Sequence, residues 1–192
     1  MSALTAEKIL DVAQRLIQTR GYNGFSFRDI GEAIGIKSAS IHYHFASKAD
    51  LGTALVTRYR ETFTKELAAI ESQHETAPKR LKAFIDLFRR SLKDDRLCLC
   101  GMLGAERDSL PESLNVQVQE FFSFCEDWLV AVLKQGRSAA QIEFRGTPQA
   151  MADHLLALLE GAVLMARSFE DTERFDKAAG SFLRVLKPAS DA

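Results

Sequence analysis

Between Ser26 and Lys48 the chain reads SFRDIGEAIGIKSASIHYHFASK, a stretch dense in side chains that donate to oxygen acceptors. Lys37, Ser38, Ala39 and Ser40 form a small polar run that a helix N-terminus can bring against base edges. Its lysine can reach guanine acceptors or a phosphate. His42, Tyr43, His44 and Lys48 follow, with donors suited to phosphate oxygens. This is the chemistry of binding rather than of bond making. Ser40 lies near His42 and His44, but no aspartate is placed to orient an imidazole. No GxSxG, P-loop or Rossmann glycine run occurs.

The second group of reactive side chains is three thiols. Cys98 and Cys100 sit beside Arg96, at an irregular helix start whose amide dipoles can lower a thiol pKa. Cys125 is a candidate resolving partner. Buried structural cysteine is the plainer account, because free cysteine is among the most buried residue types. Cys98 and Cys100 with a distant His74 or His154 lack the spacing of a structural zinc site, so neither metal nor cofactor is expected.

Helices must position these groups. Apolar residues recur at helical spacing almost throughout and no segment alternates as a strand, so the fold class expected is all-α with about nine helices. Thr5 is read as the N-cap of the first helix and Gly21 as its stop. Ser26 and Asp29 form a capping box for a short second helix ending at Gly35. A third helix covers about 38–44. Gly31 lies four residues before Gly35, and Ile36 and Ile41 are spaced to fill the angle between the two short helices, the pattern of a helix-turn-helix. A fourth helix starts at Ser47, capped through Asp50, and runs to about Ile70. Pro78 is placed at the first position of a fifth helix, which Asp94-Asp95-Arg96 breaks. Pro111 opens a long helix closed by Gly136, Thr147-Pro148 opens another to about Phe169, and a last helix runs from Asp171 to Lys187, stopped by Pro188.

Composition fits a globule of one or two domains: 192 residues, 46% hydrophobic and 27% charged. No run of about 18 uninterrupted apolar residues occurs, so no membrane span is expected. Met1–Lys8 does not read as a secretory signal. Three cysteines, an odd number, suit a reducing cytoplasm. The net charge of −1 argues against a nucleic-acid partner, but its distribution does not. Residues 1–60 carry eight basic and five acidic side chains, a balance of +3, and the remainder balances at −4.

Thr5–Phe63 resembles the DNA-binding domain of TetR/AcrR-type transcriptional regulators. The likeness rests on Gly21-Tyr22, on Phe25-Ser26-Phe27-Arg28-Asp29-Ile30 and on Ile41-His42-Tyr43-His44-Phe45-Ala46-Ser47-Lys48. The family's usual run is Leu-Tyr-x-His-Phe-x-Ser-Lys, so His42 stands where tyrosine is usual, and Lys37 stands where Ser or Thr often caps the recognition helix. The resemblance implies a DNA-binding domain over 3–63, with its helix-turn-helix at about 26–45, and a helical ligand-binding and dimerisation domain over 64–192. It implies that Ser26 and Phe27 approach phosphate and that Arg28, Lys37, Ser38, Ala39 and Ser40 reach bases. It places Tyr43, His44 and Lys48 in a phosphate clamp, beside the donor His42. It further implies a homodimer on a palindromic double-stranded operator, most often a repressor, released when a small-molecule effector acts on the C-terminal domain.

For the effector, Phe84, Phe88, Met102, Phe121, Phe124, Trp128 and His154 are the candidate lining, with plain core packing as the alternative for any one of them. The helix from Ser47 to Ile70 is the candidate link between the two functions. The context of Cys98 with Glu106 eight residues on resembles the reactive-cysteine segment of oxidant- and electrophile-sensing members. The competing function classes are a helical ligand-binding or interaction protein without DNA activity and a small helical enzyme.

Overall fold

The computed structural model describes residues 3–92 and 95–186. Among them are nine α-helices, one 3₁₀ turn and no strand. The helices are α1 (Ala3–Arg20), α2 (Phe27–Ile34), α3 (Ser38–His44), α4 (Lys48–Gln73), α5 (Ala77–Leu92), α6 (Leu99–Ala105), α7 (Glu112–Ser138), α8 (Pro148–Ser168) and α9 (Glu173–Val185). The 3₁₀ turn, Arg107–Ser109, lies between α6 and α7.

The chain divides into two compact units. The first takes in the chain as far as Thr62 together with Arg96–Phe121, and the second takes Phe63–Asp95 and the chain from Phe122 onward. In the first, α1 packs on α2, α3 and α6. Its buried stripe of Ile9, Ala13 and Ile17 joins Ile30 of α2, Ile41 of α3, Leu51 and Leu55 of α4, and Leu99 and Leu103 of α6. Arg58 ties α4 to α1 through Glu7, Asp11 and Gln14, at 3.0, 2.8 and 3.1 Å. In the second unit α8 packs along α9 and α5, burying Leu155, Leu159 and Val163 with Leu81, Phe84, Phe175 and Phe182. By length and composition α8 could cross a membrane, yet eight of its residues are buried within the protein.

Several boundaries follow local chemistry. Ser47 caps α4, its N–H and Oγ donating to Asp50 Oδ2 at 3.0 and 2.7 Å. Thr147 Oγ1 accepts from Ala150 N–H at 3.1 Å, with Pro148 in the first turn of α8.

Others differ from the sequence reading. Thr5 is no cap, because α1 already includes Ala3 and Leu4. The fourth helix continues through the polar but helix-compatible Glu71-Ser72-Gln73. Pro78 is the second residue of α5, still within the turn whose amides need no helical partner. Gly136 does not close α7, which runs to Ser138. A Cβ on Gly136 would lie 2.5 Å from Ala77 Cβ and 2.9 Å from Ile142 Cδ1, so this glycine permits close packing and does not mark an end. The last helix starts at Glu173, whose N–H donates to Asp171 Oδ1 at 3.0 Å. Lys187, Pro188 and Asp94 lie outside the described residues. By packing, residues 96–121 group with the first unit.

Candidate nucleic-acid interface

Two short helices build the surface. At the start of α2, Ser26 N–H and Oγ both donate to Asp29 Oδ2, at 2.7 and 2.5 Å. These bonds hold the Asp29 carboxyl below its ordinary range. At its end Gly35 adopts a left-handed φ of +72° that a Cβ would strain. Ile36 N–H turns back to Gly31 O at 2.9 Å, and a Cβ on Gly31 would lie 2.6 Å from Ile36 O. The bare glycine is what allows so tight a turn. Ile41 then anchors α3, fully buried, while Ile36 is only partly covered. Phe45 N–H closes α3 on Ile41 O at 2.9 Å.

This anchoring leaves Lys37, Ala39, His42 and Tyr43 exposed, with Ser38 and Ser40 half-buried. Lys37 precedes α3 with extended backbone and no side-chain cap, as expected of a residue that has only donors. Tyr43 is 72% exposed, the most open large aromatic of the molecule's described residues. His42 sits edge-on to Phe27 at 4.7 Å between ring centroids, and its Nδ1 lies 3.2 Å from Ala46 O. That contact joins the first residue of α2 to the outer face of α3. Arg28 is exposed and paired with Glu32 at 2.7 Å, one helical turn on.

Two expected phosphate donors face differently. His44 Nε2 is shielded from solvent with no hydrogen-bond partner among the described residues, and its ring lies edge-on to Tyr43. The Lys48 ammonium donates to Phe25 O and rests over the rings of Phe25 and Tyr22.

The effector candidates divide between the two units. Met102 and Phe121 fall in the first unit, where Phe121 lies 5.3 Å from the Tyr59 ring. In the second unit Trp128 stacks on Phe84 at 5.4 Å and 17°, Phe84 lies 5.5 Å from Phe88, and Phe63 meets both edge-on. Trp128 Nε1 donates to Glu71 Oε1 at 2.8 Å. Phe124 is half-buried on α7. His154 is exposed on α8, edge-on to Phe182.

None of the three cysteines is in a disulfide, and all three are buried. Cys98 precedes α6, and Cys100 is within it. Burial, with the charges of Glu160 and Glu126 adding to it, pushes the Cys125 thiol up, the opposite of activation. The sequence reading did not single out Glu106 and Gln18 as structural partners of this unit. Glu106 accepts from Tyr22 N–H at 2.8 Å across 84 residues, a separation with no periodic signature.

The family model described as "Bacterial regulatory proteins, tetR family" matches residues 9–55. The model "Tetracyclin repressor-like, C-terminal domain" matches residues 77–182. The chain is 35% identical to a TetR-family transcriptional regulator from Agrobacterium tumefaciens, whose crystal structure aligns with a TM-score of 0.93 over 96% of this chain and 98% of that one. It is 22% identical to the HTH-type transcriptional repressor DhaR of a Mycobacterium species, covering 96% of this chain and 93% of that protein. It is 26% identical to the HTH-type transcriptional repressor NemR of Escherichia coli, covering 88% of each.

Proposed function

Because the chain belongs to the tetR family of bacterial regulatory proteins, and so is a DNA-binding transcriptional regulator and not an enzyme, we propose that a homodimer of it represses transcription from a palindromic operator. Each copy lays α3 in the major groove of one half-site, the two half-sites about 34 Å apart along the duplex. Arg28, Lys37, Ser38, Ala39 and Ser40 read bases. Ser26, Phe27, His42 and Tyr43 meet phosphate. The observation that carries this reading is the anchoring of α3 by Ile41, which turns Lys37, Ala39, His42 and Tyr43 outward beside the capped start of α2.

A small apolar or aromatic effector acts on the helical C-terminal part, where Phe84, Phe88 and Trp128 form an aromatic cluster with Trp128 stacked on Phe84. α4 runs from Lys48 beside the reader into the second unit, so a ligand that biases this helix biases the spacing of the two readers. The site of action is the cytoplasm. Fluorescence anisotropy with the duplex upstream of the protein's own gene tests the reading. Binding should be tight and should weaken steeply with salt. No salt-dependent binding to any duplex would leave a ligand-binding bundle without DNA activity.

A further inference from the structure

The turn joining α1 to α2, Gly21–Phe25, is held by charged groups from two distant parts of the chain. Glu106 follows α6. Its Oε1 accepts from Tyr22 N–H at 2.8 Å, and its Oε2 accepts from Asn23 N–H and Nδ2 at 3.0 and 2.6 Å. Asn23 Nδ2 also donates to Ser109 Oγ at 2.7 Å. Gly21 has φ +84°, and a Cβ there would lie 2.0 Å from Glu106 Oε1, so only glycine leaves room for the carboxylate. One turn earlier, Gln18 Nε2 donates to Leu97 O at 3.0 Å and Leu97 N–H returns to Gln18 O at 3.1 Å. From α4, Lys48 donates to Phe25 O, with its ammonium 4.1 Å from the centroid of the Phe25 ring and 4.9 Å from that of Tyr22. Burial lowers the Lys48 pKa, and the Glu106 and Asp29 carboxylates work against that.

We propose that Glu106 and Lys48 clamp the Gly21–Phe25 turn and thereby fix the orientation in which α2 and α3 meet DNA, which makes Glu106 a positioning residue for operator binding. The inference rests on the DNA-binding reading above. The turn ends at Ser26, the cap of α2, so its dihedrals set the direction in which α2 leaves α1. Two successive amides beyond the end of α1 need an acceptor, and one carboxylate satisfies both. Without it the reader samples other orientations, and apparent affinity falls with the competent fraction. A lysine engaged by a carbonyl and two aromatic faces is not offering its charge to phosphate, the role the resemblance implied. Residues 96–109 become part of the reader. Cys98, Cys100 and Met102 then lie on the segment whose displacement would release the turn.

The test uses the full chain, the duplex upstream of its gene, a series of salt concentrations and hydrogen exchange over residues 18–26. Glu106→Gln keeps the side chain's size but sets an amide donor against a backbone N–H. Lys48→Met keeps the aliphatic stem. Each should weaken operator binding about tenfold. The salt slope should stay at its wild-type value, and the turn's amides should exchange faster. The double variant should lose less than the product of the two single losses.

A fall of about 0.9 in the salt slope for Lys48→Met would make that lysine a phosphate contact and overturn the proposal. So would wild-type affinity and exchange in Glu106→Gln. Should Glu106→Gln melt far below wild type, Asn23→Ala, which removes two of the bonds, replaces it with the same readouts. A wild-type protein that binds no duplex would sink the DNA reading alone, since the exchange signature of the clamp would remain measurable.

Discussion

Tyr43 projects from α3 with most of its ring in solvent, and its hydroxyl is free to donate to a phosphate. Tyr43→Phe should weaken operator binding several-fold, by about 1 kcal/mol for one lost hydrogen bond, without moving the melting temperature. Anisotropy and thermal melting, run together, check both halves of that expectation. The thiols behave in the opposite way. Cys98 is 5% exposed, and Cys100 and Cys125 are fully covered. Iodoacetamide should therefore label the native protein far more slowly than the unfolded chain. Rapid labelling of Cys98 at native conditions would favour a thiol-reactive signal, and Cys98→Ser would then have to abolish the response. The sequence identified which residues carry donors. It could not say that Lys48 and His44 face inward, since that depends on what α1 and its following turn place against them.

At the scale of elements, α7 and the α5–α9 pair carry the sharper expectations. Alanine normally favours a helix interior over glycine by about 1 kcal/mol. Gly136→Ala should nonetheless destabilise, because its new methyl would meet Ala77 and Ile142 below contact distance, and overpacking of this kind costs about 1–3 kcal/mol. A melting temperature above wild type would show that α5 and the 139–147 connection yield easily.

Arg89 grips Asp176 through two bonds of 2.6 and 2.8 Å, joining α5 to α9. The pairing holds the Asp176 carboxyl below its ordinary value. A depressed carboxylate stabilises above its unfolded pKa, and that stabilisation is lost as pH falls through the folded value. Asp176→Asn should thus lower the melting temperature at pH 7, and the gap should close as the solution is taken through and below the usual carboxylate range. Both side chains are about 40% exposed, so the effect is under about 1 kcal/mol. The sequence revealed most of these helices from their own caps and periodicity. It misjudged Gly136 because its need for glycine arises from α5 and Ile142 rather than from a helix end.

For the whole molecule, the charge balance of +3 over residues 1–60 overstates the free positive surface. Arg60 bonds Glu120, which lies outside that stretch, whereas Glu7 and Asp11, which hold Arg58, are already counted in it. On α8, the face opposite the core carries His154, Ala157, Gly161, Leu164 and Met165 in the open, with Leu164 54% and Met165 48% exposed. A second copy is the expected cover for that face. Light scattering should give twice the mass of the chain, and Leu164→Glu should shift it toward one chain's mass. Operator affinity should fall steeply with it, because one reader holds half the site. A monomeric wild type at micromolar concentration would remove the two-half-site mechanism.

The sequence by itself determined the helices, the helix-turn-helix and the family. A cap, a left-handed glycine or an apolar stripe is an interaction among residues within a turn or two of each other, so its signature is written in their spacing. Tertiary structure alone decided that residues 96–121 pack with the reader, that Lys48 serves a carbonyl and two rings, and that Glu106 holds a turn 84 residues away. Those contacts are set by how helices pack, and a charged residue carries no mark of the distant amide that it will meet.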